Sequence, residues 1–143
     1  MSTINPFLKT LMNLAKVQAV IARRFDRLNI HGIGFNDFMI LYLLQQAAGE
    51  KMRRVDLADK IGITASGITR MLLPMEKIGL VTREANERDA RVSYVVLTAQ
   101  GRQLFEDAGK TASLLSQEII PAEKPKDIQL LNDMLARLGG NIT

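Results

Sequence analysis

The chain has 143 residues, 47% of them hydrophobic and 24% charged, which suits one soluble domain, or one domain with a helical extension. It contains no cysteine, so disulfides, thiolate metal sites and thiol-based redox signalling are excluded. No apolar run approaches the roughly 20 residues that span a bilayer, and the opening stretch lacks a signal-peptide pattern, so the expected compartment is the cytoplasm. The net charge of +4 is unevenly placed. Residues 1–30 hold five Lys/Arg against one acid and residues 51–102 hold ten against six, while the remaining segments are acidic. A basic stretch by itself is most often a solvated face.

In chain order, Asn5-Pro6 is an N-cap followed by proline at the first helical position. Phe7, Leu11, Leu14, Ile21, Phe25 and Leu28 then recur at steps of three and four, with Gln18 in the one polar slot. Leu8, Met12, Ala15, Ala19 and Ala22 form a second stripe beside them. Two adjacent stripes on one long helix imply either burial within one chain or packing on the chain's own core and on a second chain as well. "NIHGIGF" reads as a loop, and its lone His31 as a solvated residue unable to anchor a metal site alone. "FNDFMILYLLQQAAG" is an apolar second helix closed by Gly49, and "RRVDLADKIG" a short third helix ending at Gly62. A fourth helix starts after Thr64 and contains Pro74. That proline removes a hydrogen bond to the Arg70 carbonyl and is expected to bend the helix just beyond its first two turns.

"LVTRE" and "RVSYVVLT" are β-type runs on either side of the polar tip "ANERDA", hence a hairpin. Thr98 caps a fifth helix bearing Leu104, Ala108, Ala112, Leu115 and Ile119, which stops at Pro121. The sixth carries Ile128, Leu131, Leu135 and Leu138 before a double glycine. The predicted order is four helices, a hairpin and two helices.

The third and fourth helices have the makings of a helix-turn-helix, which needs a small residue at the close approach, a glycine at the turn and apolar residues facing inward. Ala58, Gly62 and Ile68 fill those places, with Leu57, Ile61, Ile63 and Met71 completing the inner surface. Thr64, Ala65, Ser66, Thr69 and Arg70 are then left outward on the early turns, where side chains of such a helix reach base edges in the major groove. A two-stranded ribbon directly after that helix, with Arg88 and Arg91 at its tip, is the wing of a winged helix. Arginines there reach the minor groove and its phosphates. Asp89 would repel phosphate unless it holds an arginine in place through a carboxylate–guanidinium pair.

With those residues in view, the chain resembles the MarR-type winged-helix regulators. Asp89, Arg91, Leu97-Thr98 and Gly101 carry the spacing D-x-R-x5-L-T-x2-G, and "LADKIGITASGITRMLLPMEKIGLV" resembles the family's helix-turn-helix up to the wing. "GIGFNDFMIL" is similar to the start of its second helix. Ala90 departs from the second basic residue often found in the wing, with Arg88 nearby as a substitute, and Gly34 stands where a Ser or Thr cap is common.

The resemblance implies a mainly α fold with a small β-hairpin wing, a single domain over residues 1–143. Residues 5–30 and 99–143 would form dimerisation helices and 34–98 the DNA-binding lobe. It implies a homodimeric regulator, a repressor before an activator, on a palindromic double-stranded operator, released by a small aromatic or phenolic effector. Ser66, Thr69 and Arg70 would face the major groove, and Arg91, supported by Asp89, would serve the wing. No cofactor, metal or membrane is implied.

A winged-helix module for protein–protein contact is the alternative, and it calls for an apolar outward face on the fourth helix, which Ser66, Thr69 and Arg70 do not supply. Catalysis is not expected. With one histidine there is no nucleophile–histidine pair, no G-x4-G-K-S/T phosphate loop is present, and the carboxylates are scattered.

Overall fold

In the computed structural model, which describes residues 3–89, 91–120 and 124–143, the expected order of helices and hairpin is present with one strand added. Helix α1 spans Pro6–Arg24, opened by Asn5, whose side chain accepts from the Leu8 N–H at 2.8 Å. The first helix is shorter than the expected run to residue 30. From Phe25 to His31 the chain tightens into a 3₁₀ helix that ends at Gly32 with φ of 79°. The tightening turns Phe25 and Leu28 into the core, where the Phe25 ring stacks on Phe35 with centroids 4.1 Å apart. His31 is therefore not a solvated loop residue: it is half-buried, and its Nε2 lies 2.9 Å from the Thr111 hydroxyl.

Helix α2, Phe35–Gln46, buries Ile40, Leu41, Leu43 and Leu44. Gly34 offers its first turn no side chain, and the Asp37 carboxylate accepts the Gly34 N–H instead, at 2.9 Å. The helix ends three residues before Gly49, which occupies a left-handed position (φ 71°) in a short 3₁₀ turn at Ala48–Glu50. Strand β1, Lys51–Arg53, was not expected; the sequence reading placed Arg53 in the third helix. Three residues carry no readable alternation, and β1 exists because it pairs antiparallel with a strand some 40 residues on, Met52 opposite Val95.

Helix α3, Arg54–Ile61, and helix α4, Ala65–Lys77, form the helix-turn-helix. Gly62 makes the turn at φ of 86°, a left-handed conformation that a side chain would strain. Leu57, Ala58 and Ile68 are buried between the two helices. Pro74 lies on the exposed side of α4, which continues past it to Lys77. Strands β2 (Val81–Ala85) and β3 (Ser93–Leu97) make the hairpin, and the sheet order is β1-β3-β2.

Helix α5, Ala99–Ile119, starts where the wing returns to the core. The Thr98 hydroxyl accepts from the Gly101 N–H at 2.9 Å and donates to the Gly79 carbonyl at 2.6 Å, so one side chain caps α5 and ties it to the chain leaving α4. Ala108, Ala112 and Leu115 continue the core toward α2 and the 3₁₀ helix. Arg102 reaches back to pair with Glu50, whose φ of 53° is held beside it. Helix α6 spans Pro125–Arg137 and buries none of its residues. The expected stop at Pro121 and the substitution at Ala90 lie outside the described residues.

The expected two-sided packing of the first helix has one side in place. Phe25 and Leu28 are buried and Leu14 and Ile21 half-buried, whereas Phe7 is 83% exposed and Leu8, Leu11, Met12, Val17 and Val20 are exposed too. Large apolar side chains are likewise open on α5, Leu114 at 65%, and on α6, Leu130, Leu131 and Met134, with Leu138 just past its end.

Candidate nucleic-acid interface

The early turns of α4 project from the core on the strength of Ile68, Leu72 and Met75, which are buried at helical spacing on the opposite side. Thr64, Ala65, Ser66 and Arg70 are exposed. Thr64 is the N-cap: its hydroxyl accepts from the Gly67 N–H at 3.1 Å and lies 3.2 Å from the Ser66 hydroxyl, so part of its hydrogen-bonding capacity is spent on the helix end. Thr69 differs from its neighbours. It is half-buried, donates its hydroxyl proton to the Ala65 carbonyl at 3.0 Å, and lines a narrow cleft between α4 and the wing with Arg54, Glu76 and Arg83. It retains only acceptor capacity toward an outside partner.

The wing is joined to α4 by a contact the sequence reading missed. Val81 is buried, and strand alternation puts Arg83 on the same face two residues on. Its guanidinium grips Glu76 with Nε 2.7 Å from one carboxylate oxygen and a terminal nitrogen 3.1 Å from the other. The alternation Val81, Arg83 was readable; the partner was not, because it depends on how α4 lies over the sheet. On the outer face, Lys51 pairs with Glu84 at 2.8 Å and sits 5.0 Å from the centre of the Tyr94 ring. Both pairs are largely open to solvent and stabilise the fold weakly.

At the tip, the pairing expected of Asp89 is present. One carboxylate oxygen accepts both the main-chain N–H of Arg91 at 3.0 Å and its Nε at 3.1 Å, leaving the Arg91 side chain 91% exposed. The Arg91 guanidinium and its main-chain N–H hold the Asp89 carboxyl below the ordinary aspartate value. A lowered folded pKa gives a contribution present above the ordinary value and lost as pH falls through the lowered one. The tip geometry is therefore constant across neutral pH. An NMR titration of the Asp89 carboxyl is expected to show a midpoint below that of a free aspartate, and Arg91→Ala to move it upward. Arg88 is exposed, with its main-chain N–H donated to the Asn86 side chain at 2.8 Å.

Polar, donor-rich turns of α4 beside a ribbon that presents one or two arginines match what groove and backbone recognition of DNA require. Comparison with known proteins decides the family. The MarR family model matches residues 36–93, which run from α2 to the start of β3. YdgJ, an uncharacterized HTH-type transcriptional regulator of Bacillus subtilis (strain 168), is 32% identical over 132 residues, covering 92% of this chain and 78% of its own. The chain belongs to the MarR family.

Two solved MarR-type structures show how fully the fold is shared. Sco3205 of Streptomyces coelicolor, a MarR family regulator solved in complex with DNA, superposes with a TM-score of 0.84 at 17% identity, over 97% of this chain and 89% of that one. The organohalide-sensing regulator RdhR-CbdbA1625, solved with 2,4-dichlorophenol bound, gives 0.82 at 18% identity, over 95% and 80%. The MarR fold therefore extends through α1, α5 and α6, beyond the 36–93 match. The chain is a MarR-family transcriptional regulator and not an enzyme. Among the described residues no helix is long and apolar enough to cross a membrane, and no group of three or more acidic or imidazole side chains is placed to hold a metal.

Proposed function

We propose that this regulator is a homodimeric, sequence-specific repressor that binds a palindromic operator and is released by a small aromatic or phenolic ligand. The observation that carries the reading is the pairing on one lobe of an exposed polar face on α4 with a wing-tip arginine already held by Asp89. In the complex, Thr64, Ala65, Ser66, Thr69 and Arg70 face the major groove, and Arg88 and Arg91 engage the minor groove and its phosphates, with Asp89 orienting Arg91. The DNA-bound relative Sco3205 supports the same use of the fold. A docking surface for another protein would need an apolar face where Ser66 and Arg70 stand, so the protein-interaction reading is the weaker one.

Residues 34–98 form the DNA-binding lobe, and 5–30 with 99–143 form the dimer. The support is the exposed apolar set on α1, α5 and α6, which the chain's own core does not cover. Light scattering of the purified protein is expected to give twice the 15.9 kDa chain mass. Changing Leu11 and Leu131 to Asp should reduce it to the monomer and lower operator affinity at least tenfold, because the half-sites are then bound singly.

The ligand reading draws on the dichlorophenol-bound neighbour. A ligand releases the repressor only if it binds the non-DNA geometry more tightly. Titrating a phenol series against the protein–DNA complex is the test, and insensitivity to every member would remove that part of the proposal.

A further inference from the structure

The described residues of the wing tip are more ordered than a loop that merely carries charge. Asn86 stands at its base and makes three bonds. Its main-chain N–H donates to the Val92 carbonyl at 3.0 Å, closing the loop against the far strand. Its side-chain oxygen accepts the Arg88 N–H at 2.8 Å, and its side-chain nitrogen donates to the Tyr94 hydroxyl at 3.2 Å. Across the tip, the Val92 N–H returns to the Asp89 carbonyl at 3.0 Å, and Asp89 takes the Arg91 N–H. Both tip arginines thus have their main chain pinned by a neighbouring side chain, one by Asn86 and one by Asp89. Tyr94 is itself steadied by the Lys51 ammonium over its ring.

We propose that Asn86, braced by Tyr94, is a positioning residue of the wing, holding Arg88 in its DNA-contacting geometry before DNA arrives. The inference rests on the DNA-binding reading above and adds a mechanism to it. An unheld tip would have to be ordered on binding, and fixing one residue's backbone costs a factor of about ten in affinity. Asn86 is neutral, so its removal changes no charge opposite the phosphates.

The test is operator binding over a salt series by the full-length protein and its variants, with thermal melts alongside. Asn86→Ala is expected to lower affinity about tenfold per wing with the salt slope unchanged. Tyr94→Phe, which keeps the ring and the Lys51 contact and loses only the hydroxyl, should act in the same direction by a smaller factor. Arg91→Ala, by contrast, should lower both affinity and slope, the slope by about one for each subunit. In an Arg88→Ala, Arg91→Ala background the Asn86 and Tyr94 substitutions should have no further effect. Equal losses in that background, or full affinity in both single variants while Arg91→Ala remains defective, would overturn the positioning role and leave the DNA reading standing. Operator binding indifferent to both arginines would overturn the wing reading and this inference together.

Discussion

Replacing Gly101 with alanine is expected to destabilise the protein by about 3 kcal/mol or more and to lower its Tm by roughly 10 °C. Gly101 is buried in the first turn of α5, against the chain leaving α4. A methyl group built there would lie 2.1 Å from the Leu80 carbonyl oxygen and 2.9 Å from a Leu97 methyl. The first is main chain and cannot rotate away. The helix must lift, and the Thr98 bonds to the Gly101 N–H and the Gly79 carbonyl stretch with it. Gly109 on the same helix is the control: among the described residues, nothing beyond its own turn of helix lies within 4 Å of its methyl position. Gly109→Ala should stabilise by about 0.5–1 kcal/mol, since alanine is the better helix former. Denaturant melts of the two variants check the pair, and equal effects would show that the close approach at Leu80 is not what fixes Gly101.

Arg70→Ala should weaken operator binding by about 2–6 kcal/mol while leaving the melting temperature unchanged. A well-placed arginine–base contact is worth about 1–3 kcal/mol of discrimination, and a dimer loses two. Arg70 is exposed on α4, away from the buried Ile68, Leu72 and Met75, so its removal opens no cavity. The loss should be larger on the preferred operator than on unrelated DNA, where only charge attraction operates. A loss equal on both would make Arg70 a phosphate contact. Binding titrations on specific and scrambled fragments separate these outcomes.

The local features of the interface were legible in the sequence and the non-local ones were not. Ala58, Gly62 and Ile68 announce the helix-turn-helix because a small residue, a turn glycine and an inward apolar residue are needed at fixed offsets within ten residues. The Asp89–Arg91 pair was readable for the same reason, two residues apart on one tip. Strand β1 was not, since Lys51–Arg53 becomes a strand only by pairing with residues Tyr94–Val96. Nor was the Arg83–Glu76 pair, which joins a strand to a helix across the cleft. Thr69 adds a detail that helical spacing does not carry: its hydroxyl turns back to the Ala65 carbonyl, as threonines in helices do. The early end of α1 has a tertiary cause, because Phe25 meets Phe35 only once the chain has folded.

In the proposed complex the polar face of α4 and the arginines of the wing read DNA as a symmetric pair. A hydroxyl-radical footprint of the purified protein on DNA from around its own coding region tests this most directly. The predicted result is two protected half-sites with centres about 34–36 Å apart on one face of the duplex. Protection should be lost on Arg70→Ala and reduced at the outer minor-groove positions on Arg91→Ala. Weak protection spread evenly along every fragment, unchanged by either substitution, would contradict it.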